Sequence, residues 1–310
     1  MSSFRERPMV PEPEFESYYG RPILKQPTWK TPDVPLYLFL GGLAGASAVL
    51  AEGAALTGRP ALERVARLAA AGGAAAGTVA LVHDLGRPER FLNMLRVLKP
   101  TSPLSVGSFI LAPFSALAGA AAASELTGVL PRLGRLAGAG AATLGPPLAT
   151  YTAALVANTA VPAWHEAHRE LPFVFAGSGA QAAGGLAMIL VPSDQAGPAR
   201  RMALAGAAVE VVAAEGILKK GLAAEPYREG RPGRLMRIAR TATAAAAALT
   251  VVGGRSRVLS AVAGATYVAS SLATRFGVFE AGIASAKDPK YVVVPQKERL
   301  ARRQAGQTAG

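Results

Sequence analysis

The sequence predicts an all-α integral membrane protein. About eight transmembrane helices would form a bundle of two four-helix halves, preceded by a polar N-terminal arm. Three observations point there. Half of the 310 residues are apolar and only 17% are charged, against about 25% charged in a soluble domain. The charges are bunched between long uncharged runs, of which Leu104–Ala123 is one, and runs of this length suit a bilayer core. The runs are also rich in Ala and Gly, small residues that let helix backbones approach closely. A soluble Ala-rich helical protein would need a polar stripe on most helices, and Leu104–Ala123 has none.

Taken in order, residues 1–34 are polar and broken by Pro8, Pro11, Pro13, Pro22, Pro27 and Pro32. They have no apolar core of the signal-peptide kind and read as an extended arm in water or on a partner surface. Hydropathy then places spans at about 35–57, 64–84, 104–127, 136–160, 171–191, 199–218, 236–253 and 256–276. The seventh is the weakest, because Arg237 and Arg240 cut into its start and must snorkel. The transmembrane domain is 35–276, and 277–310 is a basic tail.

An even number of spans puts both termini on one side. That side, with the loops after spans two, four and six, takes 24 of the 33 Lys and Arg, and the other side takes 9. The positive-inside rule therefore predicts cytoplasmic termini in the cell membrane. Most of the net charge of +13 is then a cytoplasmic basic face that meets anionic lipid. Nucleic acid is not an expected partner, because the basic residues are scattered among loops.

The stretch His83–Pro103 organises the chain. An ionisable pair, His83 and Asp84, closes span two, and Arg87, Arg90, Arg96 and Lys99 follow with a single acid, Glu89. Leu92, Leu95 and Leu98 recur every three residues, so 87–99 reads as an amphipathic helix at the membrane surface. Pro100 and Pro103 end it.

Ionisable groups inside spans are costly and point to function. Asp84, Tyr151, Glu215 and Arg275 fall near the cytoplasmic ends of spans two, four, six and eight, Glu210 lies nearer the midplane, and Glu52 and Glu125 lie towards the outer face. Glu52, Glu210 and Glu215 are candidates for a proton relay. The bland reading of Asp84 is a structural ion pair with Arg87, and that of Glu125 is an exposed helix-end charge. No cysteine is present, so thiolate zinc sites and iron–sulfur clusters are not expected within this chain. The three histidines, His83, His165 and His168, all lie towards one face, so no haem and no metal site are expected.

Several blocks go further. D-L-G-R-P-E-R-F at Asp84–Phe91 runs on through K-P-T-S-P-L-S-V-G-S to Ser108, P-L-Y-L-F-L-G-G-L-A-G opens span one, Y-T-A-A-L-V-A-N-T-A-V-P-A-W covers Tyr151–Trp164, L-P-F-V-F-A-G-S covers Leu171–Ser178, and R-F-G-V-F-E-A-G-I-A-S-A-K-D-P covers Arg275–Pro289. In these the chain resembles the membrane subunit of the NrfD/polysulfide reductase family, from about Pro35 to Pro295. The resemblance implies a quinone-reactive anchor in a multisubunit oxidoreductase. It implies a ferredoxin-like iron–sulfur subunit on the N-terminal side of the bundle and a molybdopterin-type catalytic subunit behind it. The quinone, menaquinone or ubiquinone, would lie between spans one to four. Motif match carries Asp84 and Tyr151 to that pocket, and depth adds His83 and Tyr37. Arg87, Arg90, Arg96 and Lys99 would dock the partner. Proton translocation is an added expectation. The residues leave open whether the subunit is itself quinone-reactive, a passive anchor, or a secondary transporter with Glu210 and Tyr151 at a midplane site. They expect no substrate-converting metal centre of its own.

Overall fold

The computed structural model describes residues 23–85, 87–253 and 256–308. Most of the proline-rich arm and Gly86 lie outside the described residues. Each of the eight apolar runs holds one long helix: α1 (Asp33–Leu56), α2 (Pro60–Asp84), α3 (Pro103–Thr127), α4 (Pro131–Ala157), α6 (Leu171–Leu190), α7 (Gly197–Leu218), α8 (Gly230–Val252) and α9 (Arg257–Lys287). A short helix, α5 (Pro162–Glu166), lies between α4 and α6, and α10 (Lys290–Thr308) follows α9. No strand occurs among the described residues. Proline stands in the first turn of α2, α3, α4, α5, α6 and α7, where its missing N–H costs nothing and its fixed φ suits the helix.

Five of the eight (α1, α2, α3, α6 and α8) are long and apolar enough to cross a membrane. The others have the length, at 27, 22 and 31 residues for α4, α7 and α9. They are less apolar, because α7 carries Glu210 and Glu215 and α9 carries Arg275 and Glu280. Each packs along one of the five: α4 on α1 and α3, α7 on α6, α9 on α6 and α8. The chain is a multi-pass membrane protein.

The helices form two rings of four. In the first, α1–α2, α2–α3, α3–α4 and α4–α1 are neighbours; in the second, α6–α7, α7–α8, α8–α9 and α9–α6. The halves meet where α1 packs on α6 and α9, and α4 on α6. Ala and Gly set these distances: a Cβ on Gly45 of α1 would fall 2.3 Å from the Gly145 carbonyl oxygen of α4. The α3–α4 hairpin turns at Gly128, whose φ of 70° lies in the left-handed region where a Cβ is disfavoured.

Contacts between loops fix the two ends. At one, here the terminal end, Trp29 stacks on Trp164 at 5.6 Å, Lys220 pairs with Glu170 at 2.8 Å and Arg231 with Glu280 at 3.2 Å. At the other, Gln195 Oε1 accepts from the Ala61 N–H at 3.0 Å and Arg257 donates to the carbonyl oxygens of Met188 and Ile189. Helix α5 is locked at the terminal end. Trp164 Nε1 donates to the Val278 carbonyl at 2.8 Å, and Tyr227 Oη to the Ala163 carbonyl at 3.0 Å. Burial, and then the Glu170 carboxylate, pushes the Tyr227 phenol up, so it stays a donor.

Two sequence expectations change. The segment after α2 is a 3₁₀ helix over Pro88–Leu95, two-faced but shorter than the expected 87–99. Phe91, Met94 and Leu95 face inward, while Leu92 and Leu98 are 71% and 52% exposed. Three residues per turn stack 91 over 94, and with Leu95 they form the inward face; the helix ends at Leu95, so Leu98 lies beyond it. Span eight also continues eleven residues past 276, because nothing in Phe276–Lys287 breaks a helix before Asp288–Pro289. Arg275 is therefore deep in α9 and fully buried, not at a helix end.

Candidate functional site

Asp84 is the last residue of α2, and the chain leaves the helix at Leu85 in an extended conformation. Its Oδ1 accepts from the Lys30 backbone N–H at 2.8 Å. The segment 23–32 thus straps the terminal end, from Asp84 in the first half to Trp164 over the second. His83 is 75% exposed, and its Nδ1 lies 2.8 Å from Oδ2 of Asp33 in the first turn of α1. The ion pair with Arg87 that the bland reading of Asp84 would need is not formed among the described residues; Arg87 is exposed.

Tyr37 and Tyr151 are 4% and 8% exposed and belong to one core with Leu111, Phe114 and Leu148. The Tyr151 ring lies flush on α3 at Gly107, where an added Cβ would stand 2.1 Å from Cε2. Any side chain there would displace the ring. Its hydroxyl is buried and has no hydrogen-bond partner. Such groups are rare in folded proteins and call for an explanation, an absent ligand among them. Beside Gly107, Ser108 lines a cavity of about 140 Å³ between α2, the 3₁₀ segment and α3, with Thr78, Leu81, Phe91, Met94 and Ser115. The Ser115 hydroxyl is a second buried oxygen without a partner. Neither Asp84 nor Tyr151 lines this cavity itself.

The sequence-derived site therefore divides. Tyr37 and Tyr151 are buried in one core that also reaches Phe175 and Phe279 of the second half, and His83 and Asp84 stand together at the rim of the first half under the strap. Arg87, Arg96 and Lys99 are exposed on the same end, and the Arg90 side chain lies outside the described residues.

The relay candidates divide as well. Glu210 is 5% exposed in the second half; it accepts from Thr274 Oγ1 at 2.6 Å and from Gln181 Nε2. Thr243 Oγ1 donates to Gln181 Oε1 at 3.2 Å and lies 2.6 Å from Ser270 Oγ. Arg275 donates to the Phe175 carbonyl at 2.6 Å, sits 3.8 Å over the Phe175 ring and abuts Gly42 of α1. It thus occupies the seam between the halves. Glu215 pairs with Arg240 at 2.6 Å. Glu52 faces Gly138 beside Arg67 at the opposite end of the first half. Arg67, 7% exposed, holds Glu63 at 2.6 Å and Glu125 at 2.9 Å, so Glu125 is a paired group and not a free helix-end charge. Sequence reasoning missed Arg67; its signal was Glu63 and Arg67 four apart at the head of an apolar run. It also missed Gln181, Thr243, Ser270 and Thr274, uncharged groups in Ala-rich helices.

The model of the family described as Polysulphide reductase, NrfD, matches residues 24–214, more than half of the chain. The chain belongs to the NrfD family. No curated protein matches it. The NrfD match takes in the strap, the whole first half, α5, α6 and most of α7, whereas the motif resemblance runs on to about Pro295. Membership makes the chain a membrane subunit of the kind found in oxidoreductase complexes. Among the described residues of this NrfD protein no three His, Asp or Glu side chains group as metal ligands.

Proposed function

We propose that this NrfD protein is the quinone-reactive membrane subunit of a multisubunit oxidoreductase. It exchanges electrons between an iron–sulfur subunit on its terminal end and quinone in the bilayer, with a molybdopterin-type catalytic subunit behind. The observation that carries the reading is the orphaned phenol of Tyr151, a buried donor packed on Gly107 of α3, in the half that holds the family motifs and a small cavity lined by Ser108 and Ser115. A quinone carbonyl is an acceptor without a donor of its own, which suits that hydroxyl and Ser115. Reduction of a quinone takes two electrons and two protons. The chain has no cysteine to ligate a cluster, so the electrons come from, or return to, the partner. Asp84 exchanges the protons at the rim, with the exposed His83–Asp33 pair leading to water. Tyr37 and Tyr151 position the ring.

The partner would dock on Arg90 and the exposed Arg87, Arg96 and Lys99, beside exposed Leu92, Val97 and Leu98. The charge asymmetry of 24 against 9 supports a cytoplasmic terminal end. A proton route through Glu210 and Glu52 would have to cross between the halves at Arg275. The transporter reading is the weaker one, since Glu210 bonds only within the second half while the Tyr151 ring lies on Gly107 of α3 in the first. Quinone titration of the purified complex tests the proposal: saturable quinone-dependent turnover supports it, and a complex that turns over dye but not quinone leaves only a passive anchor.

A further inference from the structure

A second cavity, of about 280 Å³, opens between α7 and α8, which are neighbours in the ring yet pack sparsely. Its walls are apolar (Val211, Ala214, Ile217, Leu218, Met236) and its floor is Thr243, Thr274 and Glu210. Its rim is cationic, with Arg228, Arg237 and Arg240.

The rim belongs to a row of arginines, 231, 234, 237 and 240, three apart on α8. Three residues turn a helix through about 300°, so the row drifts around α8. Arg231 at one end pairs with Glu280 of α9, and Arg240 at the other with Glu215 of α7. Arg234 and Arg237, between them, are exposed and have no ion pair or hydrogen bond among the described residues. Arg228 donates to the Leu218 carbonyl at the C-terminus of α7. Glu215, the rim acid, is already held by Arg240, so the rim keeps a positive excess. The surrounding face is lateral and apolar: Val212 and Ile238 are 73% and 56% exposed, and α8 is the least buried of the five apolar spans.

We infer that the α7–α8 cleft binds an anionic phospholipid, its phosphate on Arg237 with Arg240 and Arg228, and an acyl segment across the slot. Planar guanidinium donors at the head of an apolar slot, at interfacial depth, match that ligand. A neutral quinone has no charge for the rim, and a soluble partner cannot reach a face that must meet lipid tails. The acyl chain would keep the bilayer off Thr243, Thr274 and Glu210. This site is independent of the quinone reading, because it lies in the other half.

The test uses the delipidated full-length chain in detergent, titrated with phosphatidylglycerol and with phosphatidylcholine by native mass spectrometry. Phosphatidylglycerol should bind about tenfold tighter, because both lipids offer a phosphate but phosphatidylcholine adds a quaternary ammonium that the cationic rim repels, and the preference should shrink with salt. Arg237→Gln should remove most of it and Arg237→Lys should restore part. Arg132→Gln with Arg135→Gln, exposed at the opposite end, should leave it unchanged. Equal binding of the two lipids, an unaltered preference in Arg237→Gln, or an equal loss in the Arg132/Arg135 control would each overturn the site. So would displacement of phosphatidylglycerol by an added partner subunit, which would assign the rim to protein.

Discussion

The two halves of this NrfD protein have the same ring of four helices and differ in where a buried carboxylate is tied into a polar network. In the second half Glu210, Gln181, Thr243, Ser270 and Thr274 form one hydrogen-bonded network, although the buried Ser260 and Tyr267 hydroxyls of α9 stay outside it without a partner. In the first half Tyr151 and Ser115 keep buried hydroxyls with no partner, while Asp84 bonds to the strap. A closed network specifies packing; an open donor beside a cavity leaves a place for a ligand. The proposed function assigns quinone chemistry to the first half and a structural or proton-holding role to the Glu210 network of the second.

The largest effect should come from the rim of the first half. Asp84→Asn keeps the acceptor for the Lys30 N–H and removes proton exchange, so quinone-linked turnover of the complex should fall by about 10²–10⁴. Dye reduction by the catalytic subunit and co-purification should persist. Near-normal quinone turnover would return Asp84 to a purely structural role as the anchor of the strap.

Next comes a pair of substitutions that should behave oppositely. Tyr151→Phe removes a hydroxyl that bonds to nothing in the free protein, so thermal stability should hold or rise while quinone affinity drops about tenfold. Thr274→Val strips a donor from buried Glu210 and should cost about 1–3 kcal/mol of stability with quinone affinity unchanged. If the two exchanged phenotypes, the assignment of roles to halves would be reversed. Glu210→Gln sharpens the same contrast. Proton yield per electron should fall while quinone turnover survives in part, and an unchanged yield would leave Glu210 structural.

Charge reversal on the first half's outer surface, Arg87→Glu with Arg96→Glu, should release the iron–sulfur partner in moderate salt while the bundle stays inserted. Undiminished co-purification would move the docking face. The smallest effect belongs to the tail of the second half. Hydrogen bonding from Lys290 holds the Glu225 carboxyl below its ordinary range, and the same bond raises Lys290. The Glu225 contribution is present above the ordinary carboxylate value and is lost as pH falls through the lowered folded-state value. The Lys290 contribution is present below the ordinary lysine value and is lost as pH rises through the raised one. Proteolysis within α10 should therefore be slowest at neutral pH and quicken at both extremes; a flat profile would show that the pair does not hold the tail.

Much of the fold was legible because hydrophobic runs and first-turn prolines act locally: each run became one helix, and all but the eighth end within a few residues of the expected point. Arg275 shows where that stops. A hydropathy window ends a span at a charge, but a helix ends only at a breaker, so the guanidinium sits mid-helix against Phe175 and Gly42. The segment after Asp84 shows another limit, since a three-residue repeat fits a 3₁₀ helix as well as the edge of an α-helix. Asp84 and Tyr151 could be picked out by motif, but not their surroundings. The strap across Asp84 joins residues 54 apart, and the seat of Tyr151 depends on a glycine on another helix. The Gln181 network and the Arg67–Glu125 pair were hidden because partners on different helices leave no spacing to read; only the pair of Arg67 with Glu63 left one.

The central claim is that quinone binds in the first half. An azido-quinone photolabel applied to the assembled complex, with labelled peptides mapped by mass spectrometry, tests it most directly. The account predicts label on α2 and α3 around Thr78–Ser115 and on α4 near Tyr151, reduced by excess quinone and by Tyr151→Phe. Label confined to α7, α8 and α9, around the cavity below Arg237, would contradict it.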